Sequence, residues 1–260
     1  MTHSDSPSKS SELLSEPFHD VFLKLLHNTR LKLESYLADP TAKNIHHARI
    51  SIRRLESAYN ILSKSDRTKK SNRIISLYGD FFSQNNIIRD YDIILQKLTL
   101  YGCDPNSIIS LDTERKKLKK LLKTLPMAKK LLKLKKPKFK KTKPAISRLQ
   151  KKTLFLVKKF NNYIHVVTSN ENHIDELHSM RKTAKKLRYL LELYPKGTHD
   201  NLLSNIKSLQ RLLGDIHDCD VFISYLEKHA KKSPGMSDII LSEKKKRSDI
   251  YKDMVYALGT

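Results

Sequence analysis

Several residue types that support other folds and functions are scarce in this chain of 260 residues. It has no tryptophan, six glycines and only two cysteines, Cys103 and Cys219. Two cysteines are too few for a disulfide framework or a thiolate metal cluster. Because glycine is rare and apolar residues recur every three or four positions, the sequence predicts an all-α fold. No apolar run has the length of a signal-peptide core or a membrane span, which favours a cytoplasmic protein without a membrane partner.

Acidic residues are scarce relative to basic ones. The chain has 27 Asp and Glu against 51 Lys and Arg, a formal net charge of +24. An excess of this size favours a polyanionic partner such as nucleic acid, an anionic membrane or a phosphate polymer. The hydrophobic content of 38% is sufficient for one large domain or two smaller ones.

One basic motif occurs twice in the chain. HHARISIRRL begins at His46, and HSMRKTAKKL begins at His178. An acidic motif follows each copy, RDYD at 89–92 and HDCD at 217–220. A duplication that repeats two kinds of motif predicts two similar helical halves, each presenting one cationic helix.

The apolar periodicity predicts the boundaries of these halves. A polar, Ser-rich segment over 1–16 is predicted to be disordered, and a lysine-rich linker over 126–143 separates a first half, 17–125, from a second, 144–257. Breaks are predicted near Asn85-Asn86 and at Gly214. The predicted helices span 17–38, 43–64, 69–101, 106–124, 143–168, 172–194, 200–231 and 238–257.

The repeated motif separates basic from apolar residues when it is drawn as a helix. At about 100° per residue, Arg49 and Arg53 lie beside His46, whereas Ile52 and Leu55 lie on another face. The second copy divides in the same way. A solvated charged face is the simplest interpretation of one such helix, but duplication favours an anion site. Its candidate residues are His46, Arg49, Arg53, Arg54, His178, Arg181, Lys182, Lys185, Lys186 and Arg188.

The aspartates of the acidic motifs allow two interpretations. Each pair precedes or flanks apolar residues, where a carboxylate caps a helix start. Alternatively, one aspartate of each pair forms an ion pair with an arginine of the basic helix and holds its guanidinium in place. The residues concerned are Asp90, Asp92, Asp218 and Asp220. Acid–base catalysis is disfavoured because neither a nucleophile nor a phosphate-binding glycine loop accompanies them.

These motifs resemble the two halves of a CHAD domain, the "conserved histidine α-helical domain". The likeness rests on HxxRIxxRRL from His46, HxxRKxxKKLRY from His178 and LLGDxxDxDV from Leu212, and it extends over about 17–257. It implies two four-helix bundles related by pseudo-two-fold symmetry, with the basic helices lining a central groove that binds inorganic polyphosphate. Polyphosphate-granule proteins are further expected partners, and granule association an expected location. Glu56 stands where the second copy has Arg188, and Arg89 where it has His217, so a lopsided groove is expected.

Other functions are less favoured. Nucleic acid offers the same phosphates, but its recognition usually adds aromatic platforms or a reading helix, and tryptophan is absent. Divalent-metal chelation is disfavoured because His46 and His178 each share a face with permanent cations, which repel a metal ion. No cofactor and no catalytic activity are expected.

The stretch from Arg115 to Lys143 is a second basic element. It contains no Asp or Glu, and its lysines recur too densely to form one helix face. Two interpretations stay open: a solvated linker, or a flexible arm that extends the field of the groove and captures long polyanions.

Overall fold

Nine α-helices and one 3-10 turn at Lys64–Asp66 form the regular structure of the residues that this computed structural model describes: 18–121, 124–136, 143–229 and 236–259. No strand occurs in these ranges. The helices are α1 (Phe18–Ala38), α2 (Ala42–Tyr59), α3 (Lys69–Leu100), α4 (Pro105–Leu121), α5 (Thr124–Leu131), α6 (Lys143–Ser169), α7 (Ile174–Leu191), α8 (Asp200–His229) and α9 (Met236–Gly259). The predicted all-α class is confirmed, and the predicted disorder of 1–16 concerns residues outside the described ranges.

The predicted breaks in the two longest helices are wrong, since α3 and α8 run through them without interruption. Asn85 is buried, and its side-chain amide donates to the carbonyl of Phe81, one turn earlier, at 2.7 Å. Gly214 lies in helical conformation with open space where a Cβ would stand. A glycine costs a helix only about 1 kcal/mol relative to alanine, and helix packing offsets that cost.

Helix α5 occupies part of the segment for which the sequence predicted a linker. It contacts α1 and α3, and Ala128 and Leu131 are buried there. Leu134 is buried just beyond it, and its carbonyl accepts a hydrogen bond from Arg30 at 2.8 Å. Pro126 lies in the first turn, where its missing N–H has no intrahelical acceptor to lose. The chain from Thr124 to Leu134 is therefore packed against the first half, while 137–142 lie outside the described residues.

The two halves meet through their equivalent helices. Helix α2 contacts α7, and α3 contacts α8. The larger apolar cluster contains both repeated helices, for example Ile52 of α2 and Met180 of α7, each with no exposed surface. A smaller cluster joins α3 and α4 to α8 through Leu98, Leu111 and Phe222. Because both repeated helices bury their apolar faces at this junction, their basic residues are brought to one region.

Candidate anion-binding site

Five cations from both halves lie within electrostatic reach of one another. They form what we call the central cationic cluster: Arg49 and Arg53 of α2, Arg89 of α3, and Arg181 and Lys185 of α7. Burial, followed by the charges of the four arginines, lowers the pKa of Lys185 to about 7. A lysine loses so much proton affinity only where its charged form is poorly solvated and poorly compensated. The cluster therefore has an excess of positive charge.

The α2 arginines are held against α3. The Arg49 Nη2 donates to Asn86 Oδ1 at 2.7 Å, and its Cζ lies 5.5 Å from the centroid of the Phe82 ring. The Arg53 Cζ lies 3.6 Å from the same centroid, a cation–π contact. Burial and the nearby Arg89 and Arg53 lower the pKa of Arg49 to about 10, which leaves it charged at neutral pH. Both guanidiniums are thus oriented by a buried aromatic ring.

Arg181 is the most buried member of the cluster. Only 8% of its surface is exposed, and burial lowers its pKa although Asp218 and Asp90 oppose that shift. Its Nε has no hydrogen-bond partner among the described residues, and neither has the buried Nη1 of Arg49. A guanidinium N–H directed at an anion gives a short, charge-assisted hydrogen bond. The matching arginines of both halves therefore each hold one buried donor that has no partner among the described residues.

Asp90 and Asp218 lie at the edge of this cluster, in the middle of α3 and α8. Their position makes the helix-capping interpretation wrong. Asp218 Oδ2 is 3.5 Å from Arg89 Nη2, so the ion pair joins the two halves. Burial and the neighbouring Asp218 raise the pKa of Asp90, while Arg89, Arg181 and Arg49 oppose the shift. These two carboxylates and Glu56, which lies 3.5 Å from Arg53, offset only part of five cations.

Asp92 and Asp220 form a duplicated ion pair away from the basic helices. Arg115 Nε of α4 donates to Asp92 at 2.5 Å, and Arg247 Nε of α9 donates to Asp220 at 2.5 Å. The expectation that these aspartates orient arginines of the basic helix is therefore wrong for this pair. Each carboxylate instead links the long helix of its half, α3 or α8, to the helix that follows it, α4 or α9. Arg115 and Arg247 stand at the same interval as the two basic motifs, a signal that the sequence analysis missed.

The histidines near the cluster are held in the neutral form. Burial and nearby cations, Arg89 among them, lower the pKa of His46, whose surface is nonetheless exposed. Burial and neighbouring basic residues also lower the pKa of His178. The His178 and His217 rings lie 5.2 Å apart, and burial with Arg181 lowers the pKa of His217 to about 3. A neutral imidazole can donate a hydrogen bond but adds no charge. The sequence analysis did not assign His217 to the site.

Besides Arg53, whose Nη1 lies 3.5 Å from Glu56 Oε2, two of the predicted ligands are already ion-paired. Glu192, at the end of α7, accepts from Arg54 Nε of the first half at 2.7 Å and from Arg188 Nε of the second half at 2.9 Å. Lys182 and Lys186 are exposed on α7. Lys186 adds to the charges that lower the pKa of Lys152 on α6, so it faces that helix as well as solvent. These four predicted residues surround the central cationic cluster without belonging to it.

The sequence model of the CHAD domain matches residues 21–227, most of the chain. The chain belongs to the CHAD domain family. The crystal structure of the CHAD domain from the plant Ricinus communis is similar, with a TM-score of 0.60 at 18% sequence identity, over 95% of this chain and 92% of that one. Identity this low supports the shared fold alone. No curated protein has a significantly similar sequence.

The described part of this CHAD chain lacks two other kinds of feature, a metal-binding cluster and a membrane-spanning helix. Within those residues, no three His, Cys, Asp or Glu side chains lie close enough together to hold a metal ion. None of the helices described is both long and apolar enough to cross a bilayer.

Proposed function

We propose that this CHAD domain binds inorganic polyphosphate between α2 and α7, on the central cationic cluster. The observation that carries the proposal is the convergence of five cations from α2, α3 and α7, with Arg181 buried, and the lowered pKa of Lys185, about 7, agrees with it. Cations held so close together without enough carboxylates gain free energy when an anion enters. Polyphosphate carries roughly one negative charge per phosphorus and therefore matches a row of guanidiniums.

We further propose that the two halves are related by pseudo-two-fold symmetry. The duplicated ion pairs Asp92–Arg115 and Asp220–Arg247 support this relation, as do the α2–α7 and α3–α8 contacts. Linear polyphosphate has no direction, because both of its ends are identical. A ligand with that property presents the same groups to both halves, which suits a site built from two copies of one motif.

The site residues have different roles in this proposal. Arg49 and Arg181 donate to phosphate oxygens, and Arg53 and Lys185 supply charge beside them. His46 and His178 act as neutral donors at the rim. Arg54, Lys182, Lys186 and Arg188 extend the positive surface, whereas Asp90, Asp92, Asp218 and Asp220 hold arginines in place.

Nucleic acid is the second candidate, because it carries phosphates at a repeated spacing. Phe82 is buried beneath Arg53 and offers no face on which a base can stack. Tyr189, the other ring beside the cluster, is only partly exposed, with Arg188 Cζ 5.7 Å from its centroid. The ligand preferred by such a site is therefore a polyanion without bases. The proposed activity is binding alone, with Lys185 acting as a cation whose charge the polyanion restores rather than as a nucleophile.

Two double variants, together with a competition between polyphosphate and nucleic acid, test the proposal. Arg49→Gln with Arg181→Gln is expected to weaken polyphosphate binding about 300- to 1,000-fold, because roughly 3.5–4 kcal/mol of charge-assisted hydrogen bonding is removed. Glutamine is chosen because it keeps a polar side chain in the buried position of Arg181. Lys151→Gln with Lys158→Gln, exposed on α6, removes the same charge away from the site and should change affinity less than about threefold.

Fluorescence anisotropy with labelled polyphosphate measures both variants, and circular dichroism checks their folding. Unlabelled DNA of matched charge should displace the label at least tenfold less well than polyphosphate. Equal loss in the two double variants, or stronger displacement by DNA, would contradict the proposal.

A further inference from the structure

A cavity of about 720 Å³ lies beside the central cationic cluster, between α7 and α8, with one wall from α3. Sites for small molecules typically have volumes of about 300–1,000 Å³ and mostly apolar walls. This cavity has the same character. Seven aliphatic side chains contribute to its lining: Ile94, Ile174, Leu177, Leu213, Ile216, Val221 and Ile223.

One part of the lining is cationic. Arg181 lines the cavity with 8% of its surface exposed, and its buried Nε has no hydrogen-bond partner among the described residues. His178 and His217 line the cavity next to it, with their rings 5.2 Å apart. A buried guanidinium with a free N–H beside two imidazoles is a built receptor for a single anionic group.

The carboxylates of the lining do not compensate Arg181. Asp220 accepts from Arg247 at 2.5 Å, and Glu227 lies 2.8 Å from Lys244. Asp175 is exposed at the start of α7. Outside the lining, Asp218 and Asp90 support the charge of Arg181, but Asp218 also lies 3.5 Å from Arg89 and is shared between two arginines.

We propose that this cavity binds a small anionic amphiphile, with one phosphate or carboxylate head at Arg181 and an aliphatic body along the apolar wall. Polyphosphate does not suit the cavity itself, because every phosphate would lose hydration against aliphatic side chains. The head and polyphosphate would share Arg181. Binding of the amphiphile in the cavity does not depend on the proposed function. Antagonism between the amphiphile and polyphosphate rests on the proposed function, because it requires that polyphosphate also uses Arg181.

Decyl phosphate, decanoate and decanol, each below its micelle concentration, test the cavity by isothermal titration calorimetry on the full chain. Decyl phosphate and decanoate are expected to bind at least tenfold more tightly than decanol, which has the same body without charge. Ser224→Trp should fill the cavity and weaken both anions at least tenfold. Ser208→Trp is the matched control, an exposed serine on α8 outside the cavity, and should leave binding within twofold.

Arg181→Gln should remove the preference for the anions over decanol without abolishing the decanol signal. Saturating decyl phosphate should weaken polyphosphate binding at least fivefold in the unsubstituted chain and leave it unchanged in Ser224→Trp. No heat from either anion up to about 1 mM, or equal binding by the two tryptophan variants, would overturn the cavity proposal. Decyl phosphate binding in a chain that fails to bind polyphosphate would support the cavity and refute only the proposed function.

Discussion

The first and second halves use the same motif but bury its charges differently. Arg49 is partly exposed and donates to Asn86, whereas Arg181 is almost fully buried with its Nε unpaired. Arg89 adds a permanent cation in the first half, where the second half has the neutral His217. The ion pairs Asp92–Arg115 and Asp220–Arg247 are nevertheless the same in both. The scaffold contacts are duplicated, while the charge that faces a ligand is distributed unequally.

The largest loss of affinity is expected when Arg49 and Arg181, the matching arginines of the two halves, are replaced one at a time. Arg181→Gln should weaken polyphosphate binding about 30- to 100-fold, and Arg49→Gln about tenfold, since charge-assisted hydrogen bonds contribute roughly 1.5–3 kcal/mol. Arg181 loses more because its environment is drier, and because Asn86 already satisfies part of Arg49. Anisotropy titrations of both single variants measure the difference. A greater loss for Arg49→Gln would reverse the assignment of the two halves.

A second test makes the halves more alike at the centre of the cluster. Arg89→His removes a permanent cation and should weaken polyphosphate binding about five- to tenfold at pH 7.5. The same change should raise the pKa of Lys185, because Arg89 is among the charges that lower it. NMR titration of the lysine side chain measures that pKa. An unchanged pKa would mean that Arg89 does not act on the cluster.

The pH dependence of binding follows from Lys185. Its pKa is about 7 in the free protein, so it loses its charge as the pH rises from 6 to 8. Polyphosphate affinity should fall about threefold to tenfold over this interval, and binding at pH 8 should take up protons because the polyanion restores the lysine charge. Calorimetry in two buffers of different ionisation enthalpy measures the uptake. Lys185→Arg, which stays charged, should bind with a flatter pH profile.

Lys185 also predicts a change in stability without ligand. Between pH 7 and its ordinary pKa of 10.5, the unfolded chain carries a proton on Lys185 that the folded chain lacks. The free energy of unfolding should therefore rise with pH across this window. Lys185→Met should flatten that dependence and raise the melting temperature at pH 7 by about 3 °C or more. A lower melting temperature would show that the lysine stabilises the free protein.

The smallest expected effect separates the cluster from the lysines that follow α5. Lys133, Lys135 and Lys136 are exposed there. Changing all three to Gln should weaken binding only about twofold at physiological salt and reduce its salt dependence, because exposed charges act through screened attraction. Titrations at two salt concentrations measure both quantities. A loss as great as that of Arg181→Gln would place the main site outside the cluster.

Apolar periodicity and the scarcity of glycine predicted the all-α class and most helix ends to within a few residues, because periodicity is a local property. Helix α5 was missed because dense lysines obscure the spacing of Ala128, Leu131 and Leu134. The breaks near Asn85 and Gly214 were wrong because packing compensates weak local preferences.

Site residues within the motif could be predicted, whereas those that depend on neighbouring helices could not. Arg89 and His217 reach the cluster only because α3 and α8 meet. Arg54 and Arg188 seemed free in the sequence, and the carboxylate that pairs with both belongs to the end of α7. Such relations are set by helix packing and leave no periodic signal in one helix.

Glu192 bears on the length of polyphosphate that the proposed site would select. Its carboxylate accepts from one arginine of each half, Arg54 and Arg188, and so occupies the position that an additional phosphate would take. An anion long enough to reach Arg54 and Arg188 must displace the carboxylate of Glu192 from them. On the proposed function, short phosphate chains would remain at the centre, and longer ones would compete with Glu192 for Arg54 and Arg188. A single acidic side chain would then set a threshold of chain length.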